Sequence, residues 1–436
     1  MSNNLREVKL VMTNMSGNNN KYWTATMDES FTVHVEYGRV DCKKPQSQIK
    51  SFGSESAANT FIDSKVKQKE KKGYKQAKIM SGTKAQTESV NGSNLQDIAL
   101  KQIGANSPET AKLIKYLTKV NIHQITSATK ITYDESTGDF RTPLGVVTQE
   151  GIDDARDLLD KIGTQLSNST SFSDSHFINL VEDYMMLIPQ NVGSHQNARF
   201  GIEDIFPNDN ALQEQSGILD SLQASVQKVL TSATDEDGKT PAKVDAPKVF
   251  SVKLDIIDDD KIIDRIKRKF KKTCKSMHTS SRLNVKRVFA VEIDSMKKAF
   301  DKKGEPIGNI QELWHGTRAA NLLSILKGGL MIPRSSAGHV TGRMFGDGVY
   351  FSDQSTKSLN YSQGYWGGGG YDNNCFMFLA DVAMGKEYNP SGPSHNLPKP
   401  GYDSTFAIGG KSGVMNNEMI VYNTYQCNLT YLVEFE

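Results

Sequence analysis

The chain has 436 residues, 37% of them hydrophobic and 23% charged, and a formal net charge of +2. That length exceeds one ordinary core, so two or three domains are expected. No apolar run is long enough to span a bilayer, and the polar stretch Met1–Asn20 lacks the apolar centre of a secretory signal. Cys42, Cys274, Cys375 and Cys427 lie far apart without a CxxC pair, which argues against a zinc site or a disulfide framework and for a reduced, intracellular setting.

The charge is uneven. Residues 1–94 hold 15 of the 52 Lys and Arg but 9 of the 50 Asp and Glu, a net +6 against −4 for the rest. A basic first domain suits a polyanion partner, although a solvated lysine-rich surface is the commoner meaning of any single run. Val8–Met12, Tyr22–Met27 and Phe31–Tyr37 are β-rich runs separated by polar turns. Ser54–Glu70 carries Ala57, Ala58, Phe61, Ile62 and Val66 at helical spacing and stops near Gly73. Residues 78–94 read as a linker.

Residues 95–232 give helix signals almost throughout, at Leu95–Ile103, Ser107–Thr118, Gln149–Leu166, Ser173–Ile188 and Asn210–Leu230. Ser107 and Pro108 form an N-cap and first-turn pair. A second polar linker covers 232–247. From residue 248 onward strands and helices mix. Strands are expected at Val249–Asp255, Val288–Ile293, Cys375–Val382, Met419–Tyr422 and Leu429–Phe435. Asp258–Lys272 reads as a basic amphipathic helix and Asn321–Lys327 as a short one. The expected architecture is multidomain α+β: a small sheet-plus-helix domain at 1–90, an all-α domain at 95–232, and a mixed α/β domain at 248–436.

Four short motifs in the last domain carry the chemistry. They are Leu313–Arg318 (LWHGTR), Met344–Asp353 (MFGDGVYFSD), Lys357–Tyr361 (KSLNY) and Asn417–Tyr422 (NEMIVY). Alone, His315 or either tyrosine would be an ordinary core or surface residue. Glu418 is odder, since a carboxylate in an apolar strand needs a partner or a purpose. Aromatic faces suit a flat cationic pyridinium ring. A fixed carboxylate suits an oxocarbenium-like ribose.

In this order the motifs resemble the catalytic domain of the poly(ADP-ribose) polymerases. The resemblance implies that NAD+ is consumed as a substrate and that no metal takes part. It makes Glu418, His315, Tyr350 and Lys357 the catalytic set. His315, Gly316, Thr317, Asn321, Arg334, Tyr350, Ser358 and Tyr361 would bind NAD+, with Tyr361 stacked on nicotinamide and Ser358 and the Gly316 backbone on its amide. Thr317 stands where the family usually has Ser. Met331 stands where an Arg often helps hold adenosine, and Arg334 is a replacement three residues on. His278 aligns near the acceptor side. The glycine-rich stretch 362–374 lacks a Gly-Lys-Ser/Thr ending and reads as a surface loop.

The middle segment resembles the family's helical regulatory domain through Thr142-Pro143-Leu144-Gly145 and Met186-Leu187-Ile188-Pro189 near Gly193; a passive helical spacer is the plain alternative. The first domain resembles a WGR domain, with Tyr37-Gly38-Arg39-Val40 in the signature place and Tyr37 standing for its Trp. Tyr37, Gly38, Arg39, Lys43 and Lys44 are the implied DNA contacts. Lys65, Lys67, Lys69, Lys71 and Lys72 are further phosphate candidates.

The implied function is a DNA-break-dependent enzyme that builds poly(ADP-ribose) on protein acceptors, itself included. Its partners would be damaged DNA ends or nicks and protein acceptors, with no membrane. It would act as a monomer inside the cell, nuclear or nucleoid-associated. A mono-ADP-ribosyltransferase and a DNA-end binding module with a vestigial transferase domain are the rivals.

Overall fold

The computed structural model describes the chain except residues 1–3, 15–18, 41, 43, 77–94, 104–105, 135–138, 143–144, 191–200, 207–208, 226–249, 333–343, 363–374 and 395. Both linker expectations fall outside the described residues. So do Lys43, Pro143, Leu144, Gly193, Arg334 and nearly all of the glycine-rich stretch. Two compact units divide the chain. One comprises Met1–Asn94, Ile125–Ala211 and Ser225–Ala246; the other comprises Leu95–Gln124, Leu212–Ala224 and Pro247–Glu436.

The first unit begins with an antiparallel sheet of β1 (Asn4–Asn14), β2 (Asn19–Asp28), β3 (Thr32–Arg39), β4 (Gln46–Ser51) and β5 (Lys75–Gln76), in the order β4-β3-β2-β1-β5. Period-two alternation puts Val8, Leu10, Trp23, Ala25, Met27, Val33 and Val35 on one face, against Ala58 and Ile62 of α1 (Glu55–Glu70). Ser54 caps that helix by accepting from the Ala57 amide at 3.3 Å. The other face buries Val11, Tyr22 and Val40 with Met186 packed on them.

The middle of the chain supplies α2 (Leu95–Gln102), α3 (Pro108–Ala128), α4 (Gln149–Ser167), α5 (Ser175–Leu187), α6 (Ile202–Ile205) and α7 (Asp209–Ser225). The boundary between units runs through α3 and α7. Ser107 caps α3 as expected, its hydroxyl accepting from the Thr110 amide at 3.0 Å. The helix runs past Thr118 to Ala128, because Leu113, Ile114, Leu117 and Ile125 continue one buried stripe. Between α3 and α4 lies a small sheet of β6 (Thr132–Asp134), β7 (Asp139–Thr142) and β8 (Gly145–Val146). The strands are two to four residues long, too short to leave a periodic signal in sequence.

The second unit is built on two sheets. One has the order β11-β13-β17-β10-β9 and the other β12-β16-β15-β14. The elements are β9 (Val252–Ile256), α8 (Asp260–Thr273), β10 (Val285–Ile293), α9 (Asp294–Ala299), β11 (Ile310–Gly316), α10 (Ala319–Gly328), β12 (Val349–Phe351), α11 (Ser355–Ser362), β13 (Cys375–Ala383), β14 (Glu387–Tyr388), β15 (Ser404–Ala407), β16 (Glu418–Val421) and β17 (Cys427–Phe435). β13 is buried along nearly its whole length, as a central strand covered on both faces must be. The two sheets meet where Trp314 and Ser352 exchange backbone hydrogen bonds at 2.9 and 3.0 Å. That junction aligns the ends of β11 and β12. No helix among the described residues is long and apolar enough to cross a membrane.

Candidate functional site

The end of β11 delivers His315 and Gly316, held in register by Phe378 and Met377 of β13. His315 Nδ1 lies 3.0 Å from the carbonyl oxygen of Tyr350. A carbonyl only accepts, so the ring proton sits on Nδ1 and Nε2 is left as an acceptor. Burial, and secondarily the charge of Lys357, hold the imidazole below its usual pKa of 6.5. The neutral ring is therefore ready to accept a hydrogen bond from a ribose hydroxyl.

Gly316 is there for lack of a side chain. A Cβ at this position would fall 1.7 Å from the Ser358 carbonyl oxygen and 2.6 Å from its carbon. Only glycine lets α11 close on β11, and the approach leaves the main chain bare beside Ser358. Ser358 donates its hydroxyl to the Trp314 carbonyl at 3.1 Å. Its lone pairs remain to accept from an amide N–H. Thr317 accepts from Asn321 Nδ2 at 3.2 Å, and Asn321 Oδ1 is buried with no hydrogen-bond partner among the described residues. An acceptor stranded this way fits a polar ligand that brings a donor to it.

α11 carries Lys357 and Tyr361 one turn apart. Lys357 Nζ lies 3.1 Å from Glu418 Oε1, with side-chain exposures of 7% and 13%. The same ammonium sits 5.4 Å from the centroid of the Tyr361 ring. The Tyr361 hydroxyl is pushed up to about 12, first by burial and then by the Glu418 charge. Glu418 opens β16, opposite Ala407 of β15, while Met419 and Ile420 pair with Phe351 and Tyr350 of β12. Tyr350 itself accepts from the Phe345 amide at 3.0 Å and donates to the Gly346 carbonyl at 2.8 Å. Its hydroxyl thus pins the turn that precedes β12, while its carbonyl holds the His315 ring.

Several residues that the sequence reading left aside hold Glu418 in place. Asn417 donates to Asp353 Oδ2 at 3.0 Å and accepts from the Gly409 amide at 2.9 Å. Ser352 donates to the Asn417 carbonyl at 2.9 Å. Their signal was present, since Ser352, Asp353 and Asn417 sit inside or beside the motifs; what each one grips was not. His278 is buried, its Nδ1 2.8 Å from Thr356 Oγ1. Asn416 lies beside that ring without reaching hydrogen-bonding geometry at Nε2.

Arg334 lies outside the described residues. The other NAD+ candidates, His315, Gly316, Thr317, Asn321, Tyr350, Ser358 and Tyr361, fall on one connected network with Lys357 and Glu418. The cluster provides an acceptor imidazole, a bare peptide edge, an aromatic ring and a braced carboxylate. It can hold a ribose and a planar amide and stabilise positive charge between them.

In the first unit, Tyr37, Gly38 and Arg39 end β3, and Tyr37 and Arg39 are exposed. Lys69 Nζ lies 5.5 Å from the Tyr37 ring and 4.8 Å from the Tyr74 ring. Burial and the charges of Lys72, Lys65 and Lys21 lower its pKa. Lys69 therefore sits over an exposed aromatic ring with three further lysines close enough to repel it, a surface that invites phosphate. Lys44 is exposed and Lys43 lies outside the described residues.

Residues 261–413 match the family model for the poly(ADP-ribose) polymerase catalytic domain, and residues 6–80 that for the WGR domain. Poly [ADP-ribose] polymerase 1 of Gallus gallus is 28% identical over 68% of this chain and 31% of its own length. Putative poly [ADP-ribose] polymerase-like 100L of Invertebrate iridescent virus 6 is 34% identical over 28% of this chain and 68% of its own. Protein mono-ADP-ribosyltransferase PARP3 of Homo sapiens is 24% identical over 98% of this chain and 86% of its own. The chain spans about a third of the length of the polymerase 1 relatives.

Proposed function

As a member of the poly(ADP-ribose) polymerase family, this chain is one that we propose transfers ADP-ribose from NAD+ to protein acceptors, itself included, when a DNA break engages its first domain. It would release nicotinamide and extend the product into a polymer. The observation that carries this reading is the buried Lys357–Glu418 pair beside the His315–Gly316 edge.

The steps follow from the groups. The Gly316 main chain and Ser358 hold the carboxamide, and Tyr361 covers the pyridinium face. His315 Nε2 accepts from a ribose hydroxyl and fixes the dinucleotide's register. As the C–N glycosidic bond breaks, nicotinamide leaves with the bonding electron pair and positive charge grows on the ribose. The Glu418 carboxylate, held by Lys357 and Asn417, stabilises that charge. An acceptor oxygen then forms the new bond to the anomeric carbon and gives its proton to Glu418 or to solvent.

Lys69 over Tyr37, with Lys72, Lys65 and Lys21 near it, supports the DNA part of the proposal, under which the protein acts at nuclear or nucleoid DNA as a single chain. A regulatory role for the middle helices has support within the second unit. Asn121 donates from Nδ2 to the carbonyls of Ser221 and Ala320, at 3.2 and 3.3 Å. Lys327 donates to the Gln223 carbonyl at 2.8 Å. Helices α3 and α7 thus brace α10, which carries Asn321. Loosening them would change the NAD+ site. On this proposal the chain divides functionally into 1–90, 95–232 and 248–436.

A mono-transferase is the second reading, favoured by the similarity to the human mono-ADP-ribosyltransferase across 98% of this chain. Labelled NAD+ separates the two, given with and without short broken duplex DNA and beside Glu418→Gln. A DNA-stimulated ladder that contracts to single additions in the variant supports the polymerase. One discrete addition supports mono-transfer, and no labelling with DNA binding intact returns the vestigial-domain reading.

A further inference from the structure

Helix α8 has seven cations and two carboxylates, and from Arg265 to Lys272 it has no acid at all. Its apolar stripe is firmly seated. Ile266 and Phe270 are buried among Trp314, Leu359, Val433 and Phe435. Two of the cations are spoken for within the domain: Arg265 and Lys269 grip Glu312 at 2.7 and 3.2 Å. Lys267, Arg268, Lys271 and Lys272 are exposed, and Lys275 extends the same exposed edge. None of these five makes an ion pair among the described residues.

A helix that merely needs a solvated face mixes signs, so that Glu or Asp one turn away offsets each Lys. Here Asp264, one turn before Lys267 and Arg268, is the last acid, and Lys267 and Lys271, and Arg268 and Lys272, are like-charge pairs at i, i+4, which oppose the helix. The C-terminal dipole relieves only the last turn. Folding alone does not ask for this arrangement, and a polyanion would relieve it.

Its position says which polyanion. The chain leaving α8 is tied to α11 at the base of the active site. Ser355 donates to the Phe270 carbonyl at 2.9 Å, and the Lys275 amide donates to Thr356 Oγ1 at 2.9 Å. Ser280 donates to the Thr356 carbonyl at 2.9 Å. Thr356 is the neighbour of Lys357, which holds Glu418. The segment that carries these cations is therefore fixed to the helix whose Lys357 holds Glu418.

We propose that the outer face of α8, made of Lys267, Arg268, Lys271 and Lys272 with Lys275 at its end, holds the pyrophosphate backbone of an ADP-ribose chain while that chain is extended at Glu418. This rests on the polymerase reading above. The face acts by retention: each added unit brings two more negative charges to it, so a longer acceptor stays longer. Cleavage of NAD+ and the first transfer do not need it.

The test uses the full chain with all four helix residues neutralised, K267Q/R268Q/K271Q/K272Q, leaving Arg265 and Lys269 on Glu312. Nicotinamide release during the first additions is expected to stay within about twofold, while product chains shorten several-fold on a sequencing gel. In a Glu418→Gln background, which stops extension, anisotropy of a labelled ADP-ribose oligomer should report affinity lower by about tenfold at low salt, with a flatter salt dependence. The charge-keeping variant K267R/K271R/K272R should behave as wild type and so exclude a folding defect. Unchanged chain length with unchanged oligomer affinity would overturn the proposal. So would short chains that recover at saturating DNA with oligomer affinity intact, which would make the face a nucleic-acid contact. If the wild type adds only single units, the polymerase reading fails, and the oligomer arm alone then decides whether the face binds the polymer.

Discussion

Lys357 and Glu418, 61 positions apart in sequence, form an ion pair of 3.1 Å in which neither side chain is more than 13% exposed. Breaking one partner of such a pair leaves a charge stranded in low dielectric, at about 3–5 kcal/mol. Lys357→Ala is therefore expected to lower stability as well as activity, and the double variant Lys357→Met with Glu418→Gln to regain most of the stability and none of the activity. Thermal melts beside NAD+ turnover decide this. A Lys357→Ala protein that melts like wild type would show that Glu418 is held by other contacts.

Removing the carboxylate alone tests the chemistry. Glu418→Gln keeps the shape and loses the charge that the proposed mechanism turns toward the ribose. NAD+ cleavage should fall by about 10²–10³-fold, the usual cost of one preorganised electrostatic contact in a transition state. KM for NAD+ should change little, because the proposed mechanism gives binding to His315, Gly316 and Ser358. A rise in KM with kcat intact would make Glu418 a binding residue only.

Gly316→Ala would put a methyl 1.7 Å from the Ser358 carbonyl oxygen. The atom in the way is backbone at the packed seam of α11 and β11, so no rotamer change relieves it. Overpacking of this kind costs about 1–3 kcal/mol or more. The expected result is a lowered melting temperature and loss of binding of nicotinamide, measured by calorimetry. Retained nicotinamide affinity would mean the amide is held elsewhere.

Burial lowers the pKa of both His315 and His278 from the usual 6.5; Lys357 faces both, and Lys275 faces His278. Each is a base kept neutral by the fold, so below pH 6.5 the unfolded chain takes up protons that the folded chain refuses. Their contribution to stability is complete above 6.5 and declines as pH falls toward the folded values, by at most about 1.4 kcal/mol per pH unit for each histidine. Urea midpoints at pH 7.5 and 5.5 should separate, and His278→Gln should narrow the gap. An unchanged gap would assign the slope to other groups.

The proposed DNA surface makes a separate prediction. Gln at Lys65, Lys67, Lys71 and Lys72, with Lys69 kept on Tyr37 and Tyr74, should weaken binding to broken duplexes and reduce the salt slope by about 0.9 per lost phosphate contact. Tyr37→Ala should weaken DNA-end binding without changing that slope. A uniform loss of slope in both variants would place Tyr37 on the phosphates.

The one-dimensional pattern of the chain determined much of this. Amphipathic spacing marked α1, α4, α5, α8 and α10, and alternation marked β2 and β3, because burial on one face imposes a period that any segment displays by itself. The four motifs, each a local string, carried in their order the resemblance that implied the candidate site residues. β6, β7 and β8 were invisible because two to four residues hold no period. Tertiary structure alone decided who touches whom. That Asn417 and Ser352 brace Glu418, that Ser358 lies where a Gly316 side chain would be, and that Glu312 takes Arg265 and Lys269 of α8 are all contacts between distant positions. Such contacts exist only after the sheets have paired, since a pairwise approach of a few ångströms depends on the register and twist of every strand between the two residues.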